Sequence, residues 1–199
     1  MFARVLTFTG VEDLDAAVTY LQETALPVVR SQRGYKGLSA SADRSGGVLG
    51  ILSLWESEAD RDASESALAK MREEARALFG AQLTVETFEE RAVEVSRPPT
   101  VGSALMVTRI SMDPAKIDEN IEFFKREVAP QIKASHGFLA LRNMINGRTG
   151  EGMVGTVWED QQSMQAAATA AQARRAEAGA RGVSFGDSSY REILFTDVR

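Results

Sequence analysis

Pro27 and Pro130, Gly34 and Gly137, Leu38 and Leu141, Trp55 and Trp158, and Glu56 and Glu159 all stand 103 residues apart. A chain that repeats itself across that interval without a gap must build the same unit twice, and this narrows the fold more than any other feature. Similar residues extend the match: Leu14 with Ile117, Val18 with Ile121, Tyr35 with Phe138. The opening segments align at an offset of 101, Arg4-Val5-Leu6-Thr7 with Leu105-Met106-Val107-Thr108, which implies a two-residue insertion before the second helix.

Each copy reads as strand, helix, strand, strand, helix, strand. The strands at 3–9 and 103–110 precede helices at 13–31 and 114–134. In these helices Leu14, Ala17, Val18 and Leu21, or Ile117, Ile121, Phe124 and Val128, return at three- and four-residue steps. Asp113 as N-cap and Pro114 at the first helical position mark the second helix start. Pro27 and Pro130 fall late in these helices, where a missing amide hydrogen and a bulky ring predict a bent or loosened last turn. Gly34 and Gly137 then release hairpins over 35–55 and 138–158, turned by Asp43-Arg-Ser-Gly-Gly47 and Asn146-Gly-Arg-Thr-Gly-Glu-Gly152. Ser57-Glu58-Ala59-Asp60 opens the next helix as a capping box, with Asp60 reaching back to the Ser57 amide. Its counterpart at 160–178 is nearly an alanine rod carrying Arg174 and Arg175. Final strands lie within 83–95 and 183–196.

This order predicts an α+β chain of two ferredoxin-like β-α-β-β-α-β repeats. The first spans 1–95, a proline-containing linker 96–102, and the second 103–199. The strand 48–55 is apolar on both faces, so the two sheets are expected to pack against each other as an intrachain pseudo-dimer. Whether that unit forms a further homo-oligomer is left open.

Composition closes several routes. With no cysteine there is no disulfide, thiolate nucleophile or Cys-ligated metal, and one histidine cannot form a metal cluster. The net charge is −5, and no dense Lys/Arg block forms a nucleic-acid surface. The start has no signal-peptide pattern, and no apolar run is long enough to span a bilayer, so a cytoplasmic protein without membrane or nucleic-acid partners is expected. Phosphate loops, HExxH and serine-nucleophile elbows are absent from the sequence.

The element order, the Gly-aromatic start of the second strand, and the segments Leu54-Trp55-Glu56-Ser57 and Val157-Trp158-Glu159-Asp160 resemble the antibiotic biosynthesis monooxygenase-like superfamily. The resemblance covers about residues 2–94 and 103–198 and implies a dimeric α+β-barrel fold within one chain. It also implies a cofactor-independent monooxygenase acting on a small aromatic or polyketide-like molecule; the alternative is a non-catalytic binding or structural protein of the same fold. The family's haem-degrading branch uses a histidine about ten residues after the strand-three tryptophan. Here those positions are Glu65 and Ala168, so no haem or other cofactor is expected.

Seven residues stand out as site candidates. Trp55, Trp158, Phe124 and Tyr190 offer aromatic walls or a phenolic donor for a hydrophobic or aromatic small molecule. Arg109 would hold a substrate anion, Asn143 a carbonyl, and His136 would serve as base. At the offsets above, their first-repeat counterparts are Phe8, Ala40 and Arg33, which makes the second repeat the more polar and the expected home of any chemistry.

Overall fold

The structure is a computed structural model that describes residues 1–198. Strand β1 (Phe2–Thr9) leads to α1 (Leu14–Tyr20), whose cap Asp13 accepts the Ala16 amide at 2.9 Å. A π-helical turn, Leu21–Ala25, separates α1 from α2 (Leu26–Arg30). The hairpin β2 (Tyr35–Asp43) and β3 (Val48–Trp55) follows, then α3 (Glu58–Ala63), α4 (Glu65–Leu78) and the long β4 (Gln82–Val95). The second copy runs β5 (Ala104–Ser111), a 3-10 turn Pro114–Lys116, α5 (Ile117–Phe123), a π-turn Phe124–Val128 and α6 (Ala129–Lys133). It ends with β6 (Phe138–Ile145), β7 (Glu151–Trp158), α7 (Gln161–Ala180) and β8 (Ser184–Thr196).

The two prolines explain the broken helices. Pro27 and Pro130 sit in the first turn of α2 and α6, where a missing amide hydrogen costs least. The wider π-turn just upstream lets the helix restart there rather than bend at its end. The cap of α3 also differs from the predicted reciprocal box. Ser57 Oγ accepts the Asp60 amide at 3.0 Å, but it donates its own hydrogen to Asp60 Oδ2 at 2.6 Å.

Gly34 and Gly137 have positive φ values of +74° and +73°. A Cβ on either would lie 2.6 Å from Asp60 Cγ or 2.7 Å from Ser163 Cβ, against the start of the following helix. Their carbonyls accept the amides of Glu56 and Glu159 at 2.7 and 2.8 Å, tying each hairpin start to its tryptophan-bearing strand end.

The strands follow the hydrogen-bonded order β1-β3-β2-β8-β5-β7-β6-β4 and close as a barrel. Each repeat keeps the ferredoxin-like order, β4-β1-β3-β2 or β8-β5-β7-β6, so the α+β architecture follows the sequence repeat. The repeats are joined by strand pairing as well. The end of β8 pairs with β2, Glu192 opposite Ala42 and Thr196 opposite Ser39. The end of β4 pairs with β6, Glu89 opposite Ile145 and Val95 opposite Ala140. The compact units are accordingly Met1–Thr87 with the chain from Glu192, and Phe88–Arg191.

The first unit is built on Trp55, Phe8, Leu38 and Leu49, with Phe8 edge-on to Phe79 at 5.3 Å. The second is built on Trp158, Leu141 and Ile145, with Phe138 edge-on to Trp158 at 5.6 Å. Burying each such aromatic ring contributes about 1.5–3 kcal/mol from area alone. Among the described residues no helix is long and apolar enough to cross a membrane.

Strand register corrects one part of the sequence alignment. Phe2 stands opposite Trp55 and Ala104 opposite Trp158, so β1 and β5 match at an offset of 102, not 101. Arg109 therefore matches Thr7 rather than Phe8. Side chains alternate along a strand, so this one-residue slip moves Arg109 to the other sheet face.

Candidate functional site

The second unit contains a cavity of about 100 Å³ between the β5, β6 and β7 strands and the helices α5 and α7, opening to solvent. From β5 come Met106, Thr108 and Ile110, the buried alternate positions of that strand. Trp158 forms part of the wall, and its indole N–H donates to Thr156 Oγ1 at 3.1 Å. Phe124 contributes from the π-turn, where the widened backbone carries its ring to the cavity.

Polar groups are few and placed apart. Asn143, on β6, is 2% exposed, and its side-chain oxygen has no hydrogen-bond partner. Leaving such an acceptor unmatched costs about 1–3 kcal/mol. Asn120 lies buried on the facing helix. On the α7 side, Arg175 donates to Ser188 Oγ at 2.8 Å and, weakly, to Thr108 Oγ1 at 3.4 Å. Arg174 also lines the cavity, and burial first, then the neighbouring Arg175, holds its guanidinium below the ordinary value. Among the described residues, neither arginine forms an ion pair with a carboxylate. Two part-buried cations thus face an apolar chamber without an internal counter-charge.

Of the seven sequence candidates, the cavity brings together Asn143, Trp158 and Phe124. Arg109 lies on the alternate face of β5, its Cβ 3.2 Å from where a Cβ on Gly186 would stand. His136 is exposed in the turn before β6 and outside the cavity lining. Tyr190 is 47% exposed and likewise outside it. Trp55 belongs to the first unit, fully buried, edge-on to Tyr35 at 6.2 Å and 5.7 Å from the Arg4 guanidinium. The cations that do line the cavity, Arg174 and Arg175, were visible as an adjacent pair in the alanine-rich helix. Asn120 had a signal too: it interrupts the apolar stripe Ile117, Ile121, Phe124.

The arrangement can hold an apolar molecule with a hydrogen-bond donor toward Asn143 and negative charge toward Arg175 and Arg174. Haem does not fit these residues. The histidine is outside the lining, and Ala168 occupies the ten-later position, so no side chain there can ligate the iron. Among the described residues no group of three or more acids and histidines converges to hold a metal ion.

No family model matches the chain. The uncharacterized protein Rv2557 of Mycobacterium tuberculosis is 22% identical over 166 residues, 83% of this chain and 74% of that protein. Among solved structures, an anthrone oxidase-like protein is 13% identical with a TM-score of 0.67, over 98% of this chain and 92% of that one. A monooxygenase-like protein from Listeria innocua has 10% identity and a TM-score of 0.59, over 96% and 94% of the two chains. LmHde, a heme-degrading enzyme from Listeria monocytogenes, has 11% identity and a TM-score of 0.53, over 95% and 98%. These likenesses describe one shared fold that carries differently named proteins, and the fold by itself selects no chemistry. The chain shares the ferredoxin-like α+β barrel fold of these structures.

Proposed function

We propose that the chain is a tandem-repeat member of the antibiotic biosynthesis monooxygenase-like group that binds a hydroxylated aromatic molecule in the second-unit cavity and oxygenates it without a cofactor. The observation that carries this reading is that an orphaned buried acceptor, Asn143, shares one cavity lining with Trp158 and with two cations that lack carboxylate partners among the described residues. A phenolic hydroxyl would satisfy Asn143, and the enolate oxygen of an ionised substrate would lie toward Arg175 and Arg174. Such donors stabilise charge best where water is excluded. Because the cavity opens to solvent, a ring system larger than the enclosed volume extends out through its mouth.

The chemistry balances without a cofactor. Loss of a proton from an activated methylene to solvent leaves a carbanion, whose electron pair forms a carbon–oxygen bond to dioxygen. Loss of the second hydrogen with cleavage of the oxygen–oxygen bond yields a ketone and one water. The protein's part is to hold the ring and lower the energy of the anion. In this reading Arg109 and His136 take no part in the reaction, and Tyr190 and Trp55 do not touch the ligand.

A second reading, binding without turnover, draws on the same lining. Among the described residues, the titratable side chains there are the two arginines, which are hydrogen-bond donors with no acceptor atom. Oxygen uptake with a dihydroxyanthrone distinguishes the two. The expected result is one dioxygen consumed per quinone formed, at least tenfold slower in Asn143→Leu and Arg175→Ala. Uptake at the buffer rate, with saturable quenching of Trp158 fluorescence in a Trp55→Phe background, supports binding alone. The absence of both overturns the site.

A further inference from the structure

The first unit has its own cavity, of about 50 Å³, which the repeat-two chemistry leaves unused. Its counterpart residues are not equivalent in charge. Arg4, on β1, stands where the register places Met106 in the second repeat, and Arg72, on α4, joins it in the lining. Both are buried, at 3% and 8% exposure.

Arg4 is well matched. It donates to Ser64 Oγ at 2.8 Å and to the Arg61 carbonyl at 2.7 Å, and pairs with Glu65 at 3.1 Å. Arg72 pairs with the same Glu65, while the nearby Arg61 takes Glu58 and Asp62 for itself. Two buried guanidinium groups therefore share one half-exposed carboxylate, and Arg72 Nη1 is buried with no hydrogen-bond partner. Burial holds the Arg4 guanidinium below its ordinary value; Glu65 opposes this, and Arg72 and Arg61 add to it. An unmatched charged donor in an apolar wall is costly unless something accepts from it.

We propose that this cavity is a second ligand site, taking a short-chain aliphatic monocarboxylate with its carboxylate at Arg72 and its tail against Leu38, Ile51 and Phe79. Three features select that chemistry. The donor is cationic, so an anion is preferred over a neutral carbonyl. Apart from Tyr20 and Ser53, whose hydroxyl is engaged by Trp55 and the Arg4 carbonyl, the remaining walls are apolar, so an inorganic ion would leave them bare. The enclosed volume, half that of the second-unit cavity, suits a short alkyl tail. The site is separate from the second-unit cavity and stands or falls independently of it.

The test is a ¹⁵N NMR titration of the full chain with sodium butyrate, with butyramide and sodium chloride as controls. Butyrate is expected to shift the Arg72 Nε–H and first-unit amides saturably, with butyramide at least tenfold weaker. Ala75→Leu, which fills the cavity and keeps both arginines, is expected to abolish the response; Arg175→Ala, in the other unit, is expected to preserve it. Four results would overturn the proposal: no saturable shift at tens of millimolar butyrate, an equal response to chloride, a response that survives Ala75→Leu, or one lost in Arg175→Ala.

Discussion

Asp197 shows how much one side chain can organise at a chain end. Its carboxylate accepts the Leu38 amide at 2.6 Å, the Tyr35 hydroxyl at 2.9 Å and the Arg30 guanidinium at 2.6 Å. Burial alone would raise its pKa, but these three donors outweigh burial and hold it below the ordinary 3.8. Burial and the same carboxylate push the Tyr35 hydroxyl well above its usual range. A carboxyl whose folded pKa is depressed contributes stability above its unfolded pKa and loses it as pH falls through the folded value. Thermal melts from neutral to below pH ~4 should show the wild type losing an increment that Asp197→Asn lacks at every pH. Parallel profiles for the two proteins would exclude that role. Asn143 makes the opposite case, a polar group placed at a cost to stability. Asn143→Leu removes the unmatched acceptor at nearly constant shape and is expected to raise the unfolding free energy by about 1 kcal/mol while abolishing ligand binding. Urea unfolding checks the first part and fluorescence titration the second. A destabilised variant would mean that the acceptor is satisfied in the native protein.

At the scale of elements, α7 is anchored unevenly. Among the described residues its buried side chains are Ser163, Met164 and Ala167, all in its first two turns, while Ala171, Arg174, Arg175 and Ala178 line the cavity from the less buried end. An alanine face forms helix readily but buries little apolar area. The C-terminal half of α7 is therefore expected to exchange its amide hydrogens faster than α4, and a bound aromatic ligand should slow that exchange. Equal protection of both helices without ligand would contradict the uneven anchoring. Gly137 carries a different constraint. With φ at +73° and Ser163 against the space a side chain would need, Gly137→Ala is expected to destabilise the protein by about 1–3 kcal/mol, measured by chemical denaturation.

At the scale of the whole molecule, neither sequence repeat is a closed folding unit. The first compact unit includes the chain from Glu192, and the second begins at Phe88, inside β4. Residues 1–95 alone would leave β2 without its β8 neighbour, and residues 103–199 would leave β6 without β4. Unpaired edges of this kind invite pairing with another chain. Each half expressed separately is expected to self-associate by light scattering, and mixing the halves should yield a heterodimer of the full-length mass. Two folded, monomeric halves would overturn this.

Local periodicity and punctuation determine much of this protein by themselves. The recurrence of Pro, Gly and Trp-Glu at one spacing, with apolar steps of two or three to four between them, specifies both copies of the element order and the hairpins. Each of those signals acts over a few residues, through a backbone angle, a cap or an apolar stripe. Trp158 and Asn143 could be named from the sequence as candidates, and both line the second-unit cavity. Tertiary structure decided the rest. The true offset of β5 depends on which residue faces Trp158 across the ladder, and one residue of slip sends Arg109 to one face and Thr108 to the other. Arg174 and Arg175 reach the cavity only because α7 packs over β5 and β7, and Arg4 meets Arg72 only because β1 and α4 share one wall. Charge is written residue by residue, but whether a cation is left without a partner depends on what the folded chain brings beside it.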